Sequence, residues 1–145
     1  MKWVSKFNNP EDSSGFLLWQ VTHAWQRLIT KELSKINVTH SQFVLLAACD
    51  FLQTKGENVT QKKLADFTKL NIMMVSDVVR TIETKGLLER SKNPLDKREI
   101  LLSITAEGKN KVKQGIPIVE KVDEQFFNNI KDTQEAFNEM LHSLL

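Results

Sequence analysis

Residues 60–105 constrain the fold more than any other stretch of the chain. Thr60 can cap a short helix, its hydroxyl accepting from an orphan first-turn N–H. That helix reads from Gln61 to about Phe67 and buries Leu64, Ala65 and Phe67. Thr68, Lys69 and Leu70 leave space for only a tight connection before Asn71, the cap of a second helix. There Ile72, Val75, Val79 and Ile82 recur at spacings of three, four and three, with Val78 beside them. This is one apolar stripe at helical period. The opposite face carries Met73, Met74, Asp77, Arg80, Thr81 and Thr84. Gly86 can take the left-handed conformation that ends a helix. Residues 87–90 and 99–104 then read as strands around turn signals at Asn93, Pro94, Leu95 and Asp96. The tip between them, residues 92–98, is polar and mostly basic. A short strand at Val59 is expected to pair with this ribbon, and Thr105 caps the helix that follows it.

The expected fold is mainly α with a small β-wing, a winged helix-turn-helix. Gly86-Leu87-Leu88-Glu89-Arg90, then Asp96-Lys97-Arg98, then Leu102-Ser103-Ile104-Thr105-Ala106-Glu107-Gly108 stand in order. This series resembles the MarR family of bacterial transcription regulators. The family pattern is Gly-Leu, an aliphatic residue, any residue and Arg; then Asp-x-Arg at the wing; then Leu-x-Leu-Thr-x-x-Gly. Gly86, Leu87, Arg90, Asp96, Arg98, Thr105 and Gly108 match strictly, and Ile104 fills a leucine position.

Net charge over 145 residues is only +2, too little by itself to argue for nucleic acid. Its distribution says more. Residues 60–98 hold six Lys and three Arg against three Asp and two Glu, a net +4, so the rest of the chain sums to −2. Positive charge therefore gathers on the part that would face phosphates, although a solvated basic face has the same composition. No apolar run approaches the roughly 20 residues of a membrane span. The first ten residues lack the apolar core of a secretion signal. The single cysteine, Cys49, cannot form an internal disulfide. These features fit a cytoplasmic protein with no membrane partner.

On either side of the module lie amphipathic helices. Asp12, Ser13 or Ser14 can cap a first one running to about Lys35, with Leu17, Leu18, Val21, Trp25, Leu28 and Leu33 on a wide stripe and Phe16 and Trp19 alongside. Thr39-His40-Ser41-Gln42 is a capping box. It opens a helix to about Thr54 that is apolar nearly all round and so lies in the middle of the subunit. After Thr105 a helix is expected to about Ile130, interrupted at Gly115 and kinked at Pro117. Asp132-Thr133-Gln134-Glu135 reads as another capping box, opening a last helix with Phe137, Met140, Leu141, Leu144 and Leu145. The module has no surface to cover both ends. Residues 1–36 and 106–145 are therefore expected to form a helical dimerisation region around a DNA-binding region at 37–105. The resemblance implies the same homodimer.

A DNA major groove admits an α-helix whose N-terminal half reaches base edges. The resemblance points to Met73, Met74 and Asp77 as base-facing, behind the cap Asn71, with Arg80 or Thr81 nearer the backbone. Asp77 departs from the family, where arginine is common; it can accept from cytosine N4 or pair with Arg80 or Lys62. At the wing, Arg98 matches the arginine implied to enter the minor groove, where narrow A·T tracts attract it. Asp96 would brace it, or the pair would simply stiffen the hairpin. Lys92 and Lys97 are phosphate candidates, as are Thr60, Gln61 and Lys62 at a helix N-terminus. The expected partner is a pseudo-palindromic double-stranded operator, and the protein a homodimeric regulator of the repressor kind.

The resemblance also implies control by small, lipophilic, often anionic aromatics. Phe16, Trp19, His23 and Trp25 are the candidates for such an effector pocket, though an aromatic stripe at helical spacing equally describes core. Cys49, among Ala47, Ala48 and Phe51, reads as a buried structural thiol rather than a sensor. His23, His40 and His142 lack ligand spacing, so no metal or other cofactor is expected. Nor is an enzyme: no nucleophile–base pair, phosphate-binding glycine loop or carboxylate pair stands in a recognisable context. The competing reading is a winged helix that binds proteins and no DNA, which Asp77 and the small net charge favour.

Overall fold

The computed structural model describes residues 2–145. Helix α1, Ser14–Leu33, opens at Ser13, whose side chain accepts from Phe16 N. A short 3-10 turn, Ser34–Ile36, and Asn37 in the left-handed region at φ 59° lead into α2, His40–Thr54. The capping box forms as expected: Thr39 Oγ1 accepts from Gln42 N and Gln42 Oε1 from Thr39 N, both at 3.1 Å. Phe43, Leu45, Leu46, Ala48, Cys49 and Leu52 bury α2 in the centre of the subunit.

Helices α3, Gln61–Thr68, and α4, Ile72–Thr84, are joined through Lys69 at φ 62°. Leu64 and Ala65 are buried, as are Val75, Val79 and Ile82. Two expected core residues are not: Phe67 and Ile72 are both about half exposed. Phe67 lies about 200° around the helix from Ala65 and stacks on Phe51 instead, ring centroids 5.8 Å apart. Ile72 is the first residue of α4 and projects past the edge of the core. Gly86, at φ 75°, ends α4 as anticipated.

The wing strands are β1, Leu88–Asn93, and β2, Asp96–Ile104, antiparallel and longer than the sequence suggested. Leu88 faces Ile104 and Lys92 faces Ile100, but Asn93 then faces Asp96. One strand thus advances a single residue while the other advances four, so Lys97, Arg98 and Glu99 bulge out unpaired. Val59 bridges to Leu102 as expected, its carbonyl accepting from Leu102 N at 2.8 Å.

Helix α5, Ala106–Phe126, starts at Thr105, whose Oγ1 accepts from Gly108 N at 3.0 Å, and continues through Pro117. It stops four residues earlier than expected and gives way to a 3-10 segment, Asn128–Thr133, before α6, Gln134–Ser143. The second capping box does not form. Thr133 has φ −118° and ψ 14° rather than an extended cap geometry, and its hydroxyl donates back to Ile130 O.

One core runs from Ile29 and Leu33 at the end of α1, through α2, α3, α4 and the wing base, to Val112 and Val122 of α5. Gly115 permits the close crossing of α5 over α2, since a Cβ there would lie 2.3 Å from the Phe43 ring. The first part of α1 and the whole of α6, the outer arms of the subunit, lie outside this core. Leu17, Leu18, Trp19, Val21 and Leu28 of α1 are exposed, and no residue of α6 is buried. Leu144 and Leu145 are 76% and 80% exposed. An apolar surface of this extent marks an interface. No described helix is long and apolar enough to cross a membrane.

Candidate nucleic-acid interface

Val75, Val79 and Ile82, fully buried, set the rotation of α4 and thereby decide what it presents. Asn71 Oδ1 accepts from Met74 N at 2.8 Å, so this residue serves as the helix cap. Met73 stands out at 75% exposed; Met74, bordering the stripe, is 38% exposed and still not core. Asp77 pairs loosely with Arg80, Oδ1 to Nη1 3.7 Å, on a face where both are exposed. Between Arg80 and Lys62, Asp77 pairs with Arg80, and its carboxylate remains accessible. Thr81 has its hydroxyl engaged within the protein: it donates to Val78 O at 2.8 Å and accepts from Gln42 Nε2 at 3.3 Å.

The wing owes its shape to Asn93. This buried side chain donates to Glu99 Oε2 at 2.7 Å and accepts from Leu95 N at 3.0 Å, closing the two-residue turn Pro94-Leu95. Asp96 Oδ1 accepts from Arg98 N at 3.0 Å and lies 3.5 Å from Arg98 Nε. The carboxylate therefore shapes the backbone of the bulge and steadies the guanidinium, which is 94% exposed. Bulges re-aim side chains, and this one presents Lys97 and Arg98 at the tip, with Lys92 exposed on the facing strand. Arg90, a motif residue, instead pairs with Glu83 of α4 and ties wing to helix.

At the start of α3, Thr60 Oγ1 accepts from Lys63 N at 3.1 Å, so the cap is formed and that donor is used. Lys63 is held by Glu57 at 2.7 Å, while Lys62 is exposed and has no ion-pair partner among the described residues. Gln61 is half-buried beside it.

The four aromatic candidates for an effector pocket are not brought together. Trp25 lines a cleft of about 390 Å³ between α1 and the α5–α6 end, with Leu18, Val21, Phe127, Phe137 and Leu141. Its Nε1 donates to Asp123 Oδ1 at 2.8 Å. Phe16, Trp19 and His23 do not line that cleft. Trp19 and His23 stack on each other, centroids 4.0 Å apart, on the exposed side of α1. At 100° per residue Phe16, Trp19 and His23 lie about 180°, 120° and 160° around α1 from Trp25, which turns their rings away from it. Cys49 is buried, and burial pushes its thiol up to about 11. Among the described residues no group of side chains could hold a metal ion.

Sequence reasoning missed the residues that hold these parts in place. Gln53 accepts from Ile104 N at 2.8 Å and donates to Ser103 Oγ at 3.2 Å, fastening α2 to the wing. Its polar type at an inner position of an apolar helix was the available signal.

Comparison with known proteins accords with this geometry. The sequence model of the MarR family matches residues 38–100. A Bacillus subtilis (strain 168) protein named "Uncharacterized HTH-type transcriptional regulator YdcH" is 59% identical over 127 residues, 88% of this chain and 86% of that one. Mutant MarR from E. coli, solved in complex with operator DNA, superposes with TM-score 0.83 at 23% identity, covering 97% and 99% of the two chains. CouR from Rhodococcus jostii RHA1, bound to p-coumaroyl-CoA, gives TM-score 0.80 at 25% identity over 95% and 93%.

Proposed function

This chain belongs to the MarR family of transcription regulators, and from that premise we propose that it acts as a homodimer on a pseudo-palindromic double-stranded operator, as a repressor in the cytoplasm. The observation that carries the reading is the wing: a hairpin bulged at 97–99 that presents an exposed Arg98 steadied by its own Asp96. Two copies, joined through residues 1–36 and 106–145, offer α4 to successive major grooves. Half-site centres then lie about one helical turn, roughly 34–36 Å, apart. Met73, Met74 and Asp77 face the bases, Arg80 the backbone, and Arg98 the minor groove. Lys92, Lys97, Lys62 and the α3 N-terminus with Thr60 and Gln61 hold phosphates. Asn71 and Asp96 serve by shaping the elements on which these stand. The wing and the family's operator-bound member favour duplex binding over the protein-interaction reading.

Control by a small lipophilic ligand is part of the same reading. CouR, of like fold, was solved with an aromatic acyl-CoA. Here the apolar cleft of about 390 Å³ at Trp25 supports a small lipophilic ligand, and an effector acts only if it binds the two arm geometries differently.

Anisotropy titration of a labelled random-sequence duplex at several salt concentrations tests the proposal. Binding should weaken steeply with salt. Lys97→Ala should lower the slope of log K against log salt by about 0.9, one phosphate contact. Arg98→Ala should weaken binding most on A·T-flanked duplexes. Wild-type affinity and slope in both variants would remove the wing from the interface.

A further inference from the structure

The α1–α2 junction is gripped from two sides. Lys85, one residue beyond α4, reaches back 48 positions to donate to Asn37 O at 2.9 Å and also donates to Gln42 Oε1 at 3.0 Å. Lys111 of α5 donates to Ile36 O at 2.7 Å. Two adjacent carbonyls of the junction are thus held by ammonium groups from different elements, one from the recognition side and one from the dimerisation arm. The turn they hold contains Asn37 in the left-handed conformation, so its carbonyls point where regular structure cannot use them.

Gln42 completes the connection. It is only 7% exposed, and both ends of its amide are engaged. Oε1 accepts from Thr39 N and Lys85 Nζ, and Nε2 donates to Thr81 Oγ1. A buried amide satisfied this fully is costly to disturb, because any partner removed leaves a polar group unpaired in the core. The C-terminal half of α4 is therefore pinned twice, at Thr81 and at Lys85, to the point where the chain passes from arm to DNA-binding module. Apolar packing at Val75, Val79 and Ile82 sets the rotation of α4 about its own axis. Hydrogen bonds to a junction are directional and set its tilt against the arms.

We infer that Lys85 and Gln42, with Thr81 and the carbonyls of Ile36 and Asn37, are the positioning residues that hold the recognition helix at one angle to the dimerisation arms and so make the dimer selective for half-site spacing. The inference deepens the proposed function and rests on it for its DNA arm. Lys85 acts here through α4. As a phosphate contact it would act by charge alone.

The test uses the full-length dimer with Cys49→Ala and a spin label on exposed Asp66→Cys of α3. Electron–electron resonance without DNA should give a narrow distance distribution between the two labels. Lys85→Met should broaden or shift it, and Lys85→Arg, which can still donate to both acceptors, should restore it. Thr81→Val, which removes the acceptor of Gln42 Nε2, should broaden it in the same direction but less. With duplexes selected by the wild-type dimer, Lys85→Met should lose roughly tenfold of the discrimination against a half-site moved by one base pair, the scale of one disturbed base contact. Its salt slope should be unchanged. An unaltered distance distribution in both Lys85→Met and Thr81→Val would overturn the inference. So would a slope lowered by about 0.9 with spacing preference intact, the signature of a phosphate contact. If the wild-type protein bound no duplex, the proposed function would fail, and the DNA-free distances would still decide the positioning role.

Discussion

Gly108→Ala should destabilise the fold, although the residue lies in a helix. Gly108 is the third residue of α5, and a Cβ there would sit 2.2 Å from Leu87 O and 2.7 Å from Ile104 Cγ1. A carbon normally approaches a carbonyl oxygen no closer than about 3.3 Å, so α5 and the base of the wing must part by about 1 Å. The same seam holds Thr105 N donating to Leu87 O at 3.1 Å and Thr105 Oγ1 donating to Gly86 O at 2.7 Å. Weakening both costs about 1–2 kcal/mol. The forced repacking of Leu87 and Ile104 adds about 1–3 kcal/mol, and replacing a helical glycine returns at most about 1 kcal/mol. The net is a loss of about 2 kcal/mol. Urea melts at one fixed protomer concentration measure it, since a dimer's stability depends on concentration. Gly15→Ala supplies the control. Its Cβ would meet nothing nearer than Ser13 Oγ at 3.7 Å, so that variant should be neutral or slightly more stable. Equal midpoints for the two variants would refute the close-approach reasoning.

Burial lowers the imidazole of His40 from its ordinary 6.5, with Asp123 partly opposing. The unfolded chain therefore takes up this proton first, so the contribution of neutral His40 is complete above about pH 6.5 and is lost as pH falls toward the lower folded value. His40→Asn should flatten the fall in Tm on acidification from about pH 7 to about pH 5; an unchanged slope would place the acid sensitivity elsewhere. Cys49, its thiol pushed up to about 11, is thiolate in about one molecule in a thousand at pH 8. It should react with a thiol reagent far more slowly in the folded protein than in urea, and fast labelling of the native protein would revive a sensor role. Asp77→Ala should relax base preference at one operator position by a factor corresponding to about 1–3 kcal/mol while raising affinity for random duplex. Competition among duplexes carrying each of the four bases there would show it, and an unchanged preference would take Asp77 out of base readout.

Much of this architecture was legible because short-range chemistry decided it. Thr39, Thr60, Asn71 and Thr105 are caps in the structure as their spacing implied, and the stripe Val75-Val79-Ile82 oriented α4. The failures occurred where longer-range packing or backbone geometry prevailed. Phe67 and Ile72 belong to the apolar pattern but lie where the core has ended. Asp132 to Glu135 spells a capping box, yet a 3-10 segment runs into it and leaves Thr133 without the extended backbone a cap requires. The bulge at 97–99 arises from Asn93, whose bonds to Glu99 and Leu95 shift the register; composition marked the turn and could not count the offset. Lys85 and Lys111 gave no signal as fasteners, and the polar type of Gln53 in an apolar helix marked it without naming its partner, because these partners lie 48 to 75 positions away. The aromatic stripe of α1 was read as one group, and the helix distributes it around different faces.

In the proposed assembly a twofold pair presents two recognition helices and two Arg98-bearing wings to one duplex. Selection of bound sequences from a random pool by the purified full chain tests this most directly. Inverted repeats should be enriched, with half-site centres about 10 base pairs apart and A·T-rich flanks under the wings. Recovery of single, unrepeated sites, or no enrichment even at low salt, would contradict it.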